Sequence, residues 1–232
     1  RFNQREIRCN GHRANSSMND GRLDLAILGG TFDPVHAGHL QIARVVSDLL
    51  SAKVCCVPSN IPPHKSSTMA TPEQRVAMLR LAVSEHPELY VDDLELKRGD
   101  RSFTLETLQI FRRRLGPSPR LYFILGMDAY LNLPSWLGWQ QLLDYVHLVV
   151  CRRETDQVSA PPLLALETSH QVETAGMLKS KAHGGLFFVD NTALPVSSTE
   201  IRKRIKNKDD PSAFLDPGVY AYILQEQLYA AS

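Results

Sequence analysis

Residues 23–50 lay a strand, a tight turn and a helix end to end, and that order constrains the arrangement of everything after it. Leu23-Asp24-Leu25-Ala26-Ile27-Leu28 is an apolar run of strand length. Leu40, Ala43, Val46 and Leu50 recur at spacings of three and four, the period of one helix face. Between them stands Gly29-Gly30-Thr31-Phe32-Asp33-Pro34-Val35-His36-Ala37-Gly38-His39. A buried strand that feeds straight into a helix belongs to a parallel sheet, because parallel neighbours need a crossover between them. The turn also suits an anion, since the free N–H groups of a helix start point outward there. His36 and His39 sit where both reach one anion. The plainer alternative is an ordinary turn with two solvent-facing histidines. Glycines, proline and paired histidines at a single junction favour the anion site.

The alternation continues along the chain. Residues 53–58 read as a second strand. Thr71-Pro72-Glu73-Gln74 opens a helix with a cap residue, a first-turn proline and a capping-box glutamine. Val76, Leu79, Ala82 and Val83 form its apolar stripe. Residues 91–96 are expected as an edge or short strand, and 104–115 as a helix closed by Arg112, Arg113 and Arg114. Strands are expected at 121–125, 147–151 and 186–189, and helices at 136–145, 199–206 and 219–227. The stretch 154–185 has room for one helix. The pattern predicts an α/β fold: a Rossmann-like, doubly wound, mostly parallel sheet with helices on both faces. Residues 1–20 read as a mobile extension, leader or remnant, with Met18 as a candidate start, and 21–232 as one domain.

A length of 232 residues suffices for one large core, and the apolar fraction of 43% is that of a globular chain. A net charge of +1 gives no global attraction to nucleic acid or an anionic membrane, so neither is expected as a partner. Any phosphate site must come from local Arg, Lys and His. Cys9, Cys55, Cys56 and Cys151 show no zinc spacing and read as reduced, buried thiols. No apolar run approaches the roughly 18 residues that span a bilayer. A cytoplasmic protein is expected.

A second string, Val196-Ser197-Ser198-Thr199-Glu200-Ile201-Arg202, follows about 160 residues later. Ligands of open α/β sheets sit outside the carboxyl ends of the strands. The first string follows strand one, Asp128 follows the 121–125 strand, Arg152 and Arg153 follow the next, and the second string follows the last. No nucleophile and base are paired as covalent catalysis requires, and Cys55 and Cys56 fall within a core strand. His12, His86, His147, His170 and His183 read as structural or exposed, and Trp139 as packing. The basic run 202–208 reads as a solvated helix face.

The two strings together resemble the nucleotidyltransferase signatures Gly-x-Phe-Asp-Pro-x-His-x-Gly-His and Ser-Ser-Thr-x-Ile-Arg, of enzymes that transfer AMP or CMP onto a small phosphate. Within that superfamily the chain looks most like the nicotinate-nucleotide adenylyltransferases. The resemblance lies in Pro58-Ser59-Asn60-Ile61-Pro62-Pro63-His64-Lys65, Arg101-Ser102-Phe103-Thr104-Leu105-Glu106-Thr107-Leu108, Gly126-Met127-Asp128, Leu133-Pro134-Ser135-Trp136 and the late Tyr222-Ile223 and Leu228-Tyr229. It runs from about residue 23 to 229 and thins between 154 and 185.

It implies transfer of AMP from ATP to nicotinate mononucleotide by direct in-line attack, giving deamido-NAD and pyrophosphate. His36, His39 and Arg202 would be the catalytic set. Gly29, Gly30, Thr31, Phe32, Gly126, Asp128, Ser198 and Thr199 would join them in binding ATP, with Asp128 on a ribose. Thr104 and the backbone at Trp136 and Leu137 would read the nicotinate carboxylate, and Trp136 would stack on the pyridine ring. Arg152 would neighbour the mononucleotide phosphate, and His64 and Lys65 would close over it. Mg²⁺ would be held mainly by ATP phosphates and water rather than by the protein. Phe103 stands where the family often has Tyr, and Leu137 where relatives carry a larger or more polar residue. The resemblance leaves open another small-substrate transferase, such as a pantetheine-phosphate adenylyltransferase, a regulator without turnover, and a monomer or homodimer.

Overall fold

The structure, a computed structural model, describes residues 24–61, 68–152, 161–190, 194 and 196–230. The expectations for residues 1–20, Cys9, His64, Lys65 and Arg153 lie outside the described residues. Among the described residues the strands are β1 (Asp24–Gly30), β2 (Lys53–Pro58), β3 (Leu89–Val91), β4 (Arg120–Gly126), β5 (His147–Arg152) and β6 (Leu186–Asp190). The helices are α1 (Ala37–Leu50), α2 (Pro72–Val83), α3 (Leu94–Arg98), α4 (Thr104–Leu115), α5 (Met127–Leu131), α6 (Pro161–His170), α7 (Ala175–Leu178), α8 (Ser198–Lys206) and α9 (Pro217–Gln225). Every strand pair is parallel, in the order β3-β2-β1-β4-β5-β6. Winding proceeds outward in both directions from β1 and β4. The connections leaving these two neighbours therefore diverge, and a crevice opens at their carboxyl ends.

Alternate residues of each strand feed two cores, one on each face of the sheet. Ala26, Leu28, Val54, Cys56, Ile124 and Val149 meet Ala43, Val46 and Leu50 of α1, Met78 and Leu79 of α2, and Val219 and Ile223 of α9. Leu25, Ile27, Val57, Leu121, Phe123, Leu125 and Val150 meet Leu108 and Phe111 of α4 and Tyr130 of α5. Both faces are covered, which is why the strands read as continuous apolar runs. Cys55, Cys56 and Cys151 are free and buried, and burial pushes the Cys56 and Cys151 thiols up to about 12. Among the described residues no helix is long and apolar enough to cross a membrane.

Opposite the crevice, the buried Asp24 and Arg120 pair where β1 and β4 begin. His147 opens β5 beside them, 1% exposed. Its Nδ1 accepts the Gly185 N–H at 2.9 Å, which leaves the proton on Nε2, 3.1 Å from the Lys181 carbonyl. Burial lowers its pKa to about 4.

Three local expectations are corrected. The 91–96 strand is instead the last residue of β3 followed by α3. Asp92 Oδ1 accepts the Leu94 N–H at 2.9 Å and turns the chain out of the sheet. Residues 136–145 form a short 3₁₀ helix, Trp139–Asp144, because Gly138 at φ 66° breaks the run that would continue from Trp136. Where one helix was expected after 154 there are two, α6 and α7.

Candidate active site

The turn after β1 is shaped by an aromatic ring folded under glycine. Phe32 adopts φ 51° and is 1% exposed. A Cβ on Gly30 would stand 3.0 Å from its ring, so the absence of a side chain lets the backbone cross there without moving Phe32. The edge of Phe32 meets the His39 ring at 5.0 Å. His36 is the N-cap of α1, and its backbone N–H donates to His39 Nδ1 at 3.2 Å. That bond assigns the proton of a neutral His39 to Nε2. The two imidazoles stack with centroids 3.7 Å apart. His36 is 7% exposed and its pKa falls to about 4 through burial, so at pH 7 it is a neutral N–H donor and not a cation. A Cβ on Gly38 would lie 3.2 Å from the His36 ring and 3.2 Å from Val196 Cγ1.

Asp33 anchors this turn to distant segments. Its carboxylate accepts the Met69 N–H at 3.0 Å, the Ala70 N–H at 3.1 Å and the Tyr229 hydroxyl at 2.8 Å. Arg202 Nη1 donates to the Asp33 carbonyl at 2.6 Å and lies 3.9 Å from its carboxylate. Its Nη2 reaches Thr199 Oγ1 at 3.2 Å, and Ser198 Oγ donates to the Pro34 carbonyl at 2.9 Å. The two signature strings are thus bound to each other. Arg75 of α2, fully buried, donates to the carbonyls of Thr31 at 2.8 Å, Ser59 at 2.7 Å and Asn60 at 3.0 Å. It locks the ends of β1 and β2 together.

The crevice is a cleft of about 1200 Å³. Gly29, Gly30, Thr31, His36 and His39 line one bank, and Gly126 and Asp128 stand at the end of β4 and the start of α5. Thr104, Trp136 and Leu137 line the other bank. A Cβ on Gly29 would stand 3.4 Å from the Phe123 ring, which meets Trp136 edge-on at 6.3 Å. Trp136 is thereby held half-buried beside the glycine turn. Gly138 sits at φ 66°, where a side chain is strained, and a Cβ there would come within 2.5 Å of Leu105 Cδ2. This clamps the tryptophan loop onto α4. Phe103, the N-cap of α4, supplies no side-chain cap to the first N–H groups of α4, which like those of any helix start have no intrahelical partner.

Some expected residues stand elsewhere. Arg152 does not line the cleft; its Nε donates to Asp190 Oδ1 at 2.7 Å and its guanidinium lies 5.1 Å from the Phe188 ring. Asp190 on the adjacent strand β6 is its partner, and both side chains of the pair are exposed. Ser198, Thr199 and Arg202 engage the β1 turn close to Val196, which lines the cleft. Phe32 lies under the turn. Among the described residues no group of three or more His, Cys, Asp or Glu is placed to hold a metal ion.

A cytidylyltransferase-like family pattern matches residues 27–204. A protein of Aeromonas hydrophila subsp. hydrophila named "probable nicotinate-nucleotide adenylyltransferase" is 44% identical over 207 residues, covering 88% of this chain and 96% of its own. One of the same name from Pseudoalteromonas atlantica is 40% identical over 217 residues, covering 93% and 99%. The chain belongs to the nicotinate-nucleotide adenylyltransferase family. Its fold is shared by the Plasmodium falciparum nicotinic acid mononucleotide adenylyltransferase complexed with NaAD, at TM-score 0.69 and 19% identity over 90% of this chain and 98% of that one.

Against that family background, the sequence reading passed over five residues that build the site. Asp33 and Tyr229 stood within quoted strings without a role. Arg75 precedes the apolar stripe of α2 by one position, the signal that could have placed it inward. Phe123 read as one more core residue. Glu95, 7% exposed, lines the cleft wall below α4.

Proposed function

We propose that this chain transfers AMP from ATP to nicotinate mononucleotide, forming deamido-NAD and releasing pyrophosphate. The observation that carries the reading is that the stacked His36–His39 pair opens on the same cleft as Thr104 and Trp136. A nucleotide and a ring-bearing acceptor have room there side by side. A phosphate oxygen of the acceptor attacks the α-phosphorus in line, the bond to the β-phosphate bridge oxygen breaks, and pyrophosphate leaves. The attacking phosphate is already anionic, so no side chain has to take a proton from it. Charge spreads over the α-phosphoryl oxygens as the reaction proceeds. His36 and the Nε2–H of His39 donate to those oxygens from fixed positions, which lowers the barrier without reorganisation. Gly29, Gly30, Thr31 and Phe32 shape the nucleotide bed, and Gly126 and Asp128 receive a ribose. Ser198, Thr199 and Arg202 hold the β- and γ-phosphates.

On the acceptor side, Thr104 and the N–H groups at the start of α4 and at Leu137 read the nicotinate carboxylate, while Trp136 stacks on the pyridine. Arg152 neighbours the mononucleotide phosphate, its exposed pair with Asp190 being weak enough to exchange for it. Magnesium, where ATP brought it, would be held by phosphate oxygens and water and would offset triphosphate charge. The donor set fits this, since the cleft offers imidazoles and isolated carboxylates rather than a cage. Dependence on ATP favours a cytoplasmic location.

The test is pyrophosphate release with ATP and Mg²⁺, comparing nicotinate mononucleotide, nicotinamide mononucleotide and phosphopantetheine. Preference for the nicotinate acceptor is expected. Preference for phosphopantetheine would keep the chemistry and replace the acceptor, and no release with any of the three would overturn the reading.

A further inference from the structure

Glu95 is a buried carboxyl at the cleft wall that the reaction above does not use. It sits in the first turn of α3, where the Thr107 hydroxyl donates to its Oε1 and the Ser102 hydroxyl also hydrogen-bonds to it. Ser102 Oγ in turn accepts the Asn60 N–H at 2.8 Å, and the Ser102 N–H donates to the Ile61 carbonyl at 3.1 Å. Asn60 Nδ2 reaches the Asp100 carbonyl at 3.2 Å. One carboxyl therefore ties together the segment leaving β2, the 99–103 loop and the first turns of α4.

Burying this group is unfavourable, and burial pushes its carboxyl above the usual range. An apolar side chain would fill the space without that cost. What it would not do is hold two hydroxyls from two segments at once. The N-cap of α4, Phe103, makes no side-chain bond of its own, so the Glu95–Thr107 bond is the tie that reaches this turn from α3. The first turn carries Thr104, which faces the same cleft as Trp136.

We propose that Glu95 is a positioning residue for the acceptor: through Thr107 and Ser102 it fixes the first turn of α4, and with it Thr104, on the same bank as Trp136. The proposal rests on the reading that this bank of the cleft takes the acceptor. Its geometric content is a division of labour. Glu95 acts directly on the Thr104 bank and reaches the nucleotide bank, held by Arg75 and Asp33, only at one remove, through Ser102 and Asn60, whose carbonyl Arg75 also holds.

The experiment is steady-state kinetics of Glu95→Ala and Glu95→Gln against both substrates, with thermal melts alongside. Glu95→Ala is expected to raise the KM for nicotinate mononucleotide about tenfold while the KM for ATP and kcat stay within about twofold. Glu95→Gln retains an acceptor for Thr107 and should recover most of the loss. An unchanged acceptor KM, or equal rises for both substrates, would overturn the proposal. If Glu95→Ala does not fold, Thr107→Val removes a single donor and should show the same split in reduced form; an unchanged acceptor KM there would count equally against it. If the unaltered enzyme prefers another acceptor, the proposed function falls, and the split measured on that acceptor still decides the role of Glu95.

Discussion

The Tyr229 hydroxyl donates to Asp33 Oδ1 at 2.8 Å, joining positions 196 residues apart. Burial and the neighbouring Asp33 carboxylate both push the phenol pKa up, so Tyr229 remains a donor throughout the physiological range. Asp33 also meets Arg202 and the 69–70 backbone, so the glycine turn is held from three directions.

Tyr229→Phe removes one of these donors and leaves the ring in place. Stability should fall by about 1–3 kcal/mol, the usual loss when a buried acceptor is deprived of a partner. Urea denaturation measures it; a midpoint equal to that of the unaltered chain would mean that Met69 and Ala70 suffice.

His36→Ala and His39→Ala should each lower kcat by about 10²-fold or more, the scale of losing one preplaced donor to a transition-state oxyanion. Rapid-quench measurement of the chemical step reads this directly. Near-normal turnover would remove that histidine from the mechanism.

Gly38→Ala separates helix stability from catalysis. Alanine is favoured over glycine in a helix by up to about 1 kcal/mol. Here the added methyl lies 3.2 Å from the His36 ring and Val196, and must displace one of them. We expect kcat to fall about tenfold through a misplaced imidazole while the melting temperature holds. Loss of both together would point to general damage.

Acid should destabilise the fold in a defined window. His36 and His147 have pKa values lowered from 6.5 to about 4. Between those values the unfolded chain binds more protons than the folded one. The stability gained by keeping both rings neutral is therefore complete above about pH 6.5 and is lost as pH falls toward 4. Each ring contributes up to about 1.4 kcal/mol per pH unit. Denaturation midpoints at pH 7.5, 5.5 and 4.5 should decline accordingly, and a flat profile would contradict the burial of these rings.

Much of this was legible in the chain. β2 and α4 have the expected bounds, and β1, the turn and α1 follow one another as read, because glycines, caps and apolar periods are local signals. Arg75 and Glu95 were not legible. A charged residue between apolar ones reads as solvent-facing, and only the folded chain reveals the carbonyls and hydroxyls that satisfy it. The partner of Arg152 was not legible for a related reason. The arginine's place at the end of β5 was predictable, but the turn of its side chain toward Asp190 depends on the register of β6. The brief α3 and α5 are likewise set by tertiary contacts rather than by periodicity.

The strand order has a further consequence during synthesis. β1 and β2 emerge early, yet the second bank of the cleft waits for β4, and the clasp on Asp33 waits for the segment carrying Tyr229. A ribosome-bound fragment therefore carries the glycine turn and both histidines without a finished place for a nucleotide. Competence arrives late and all at once, so truncated chains would not act as nucleotide traps.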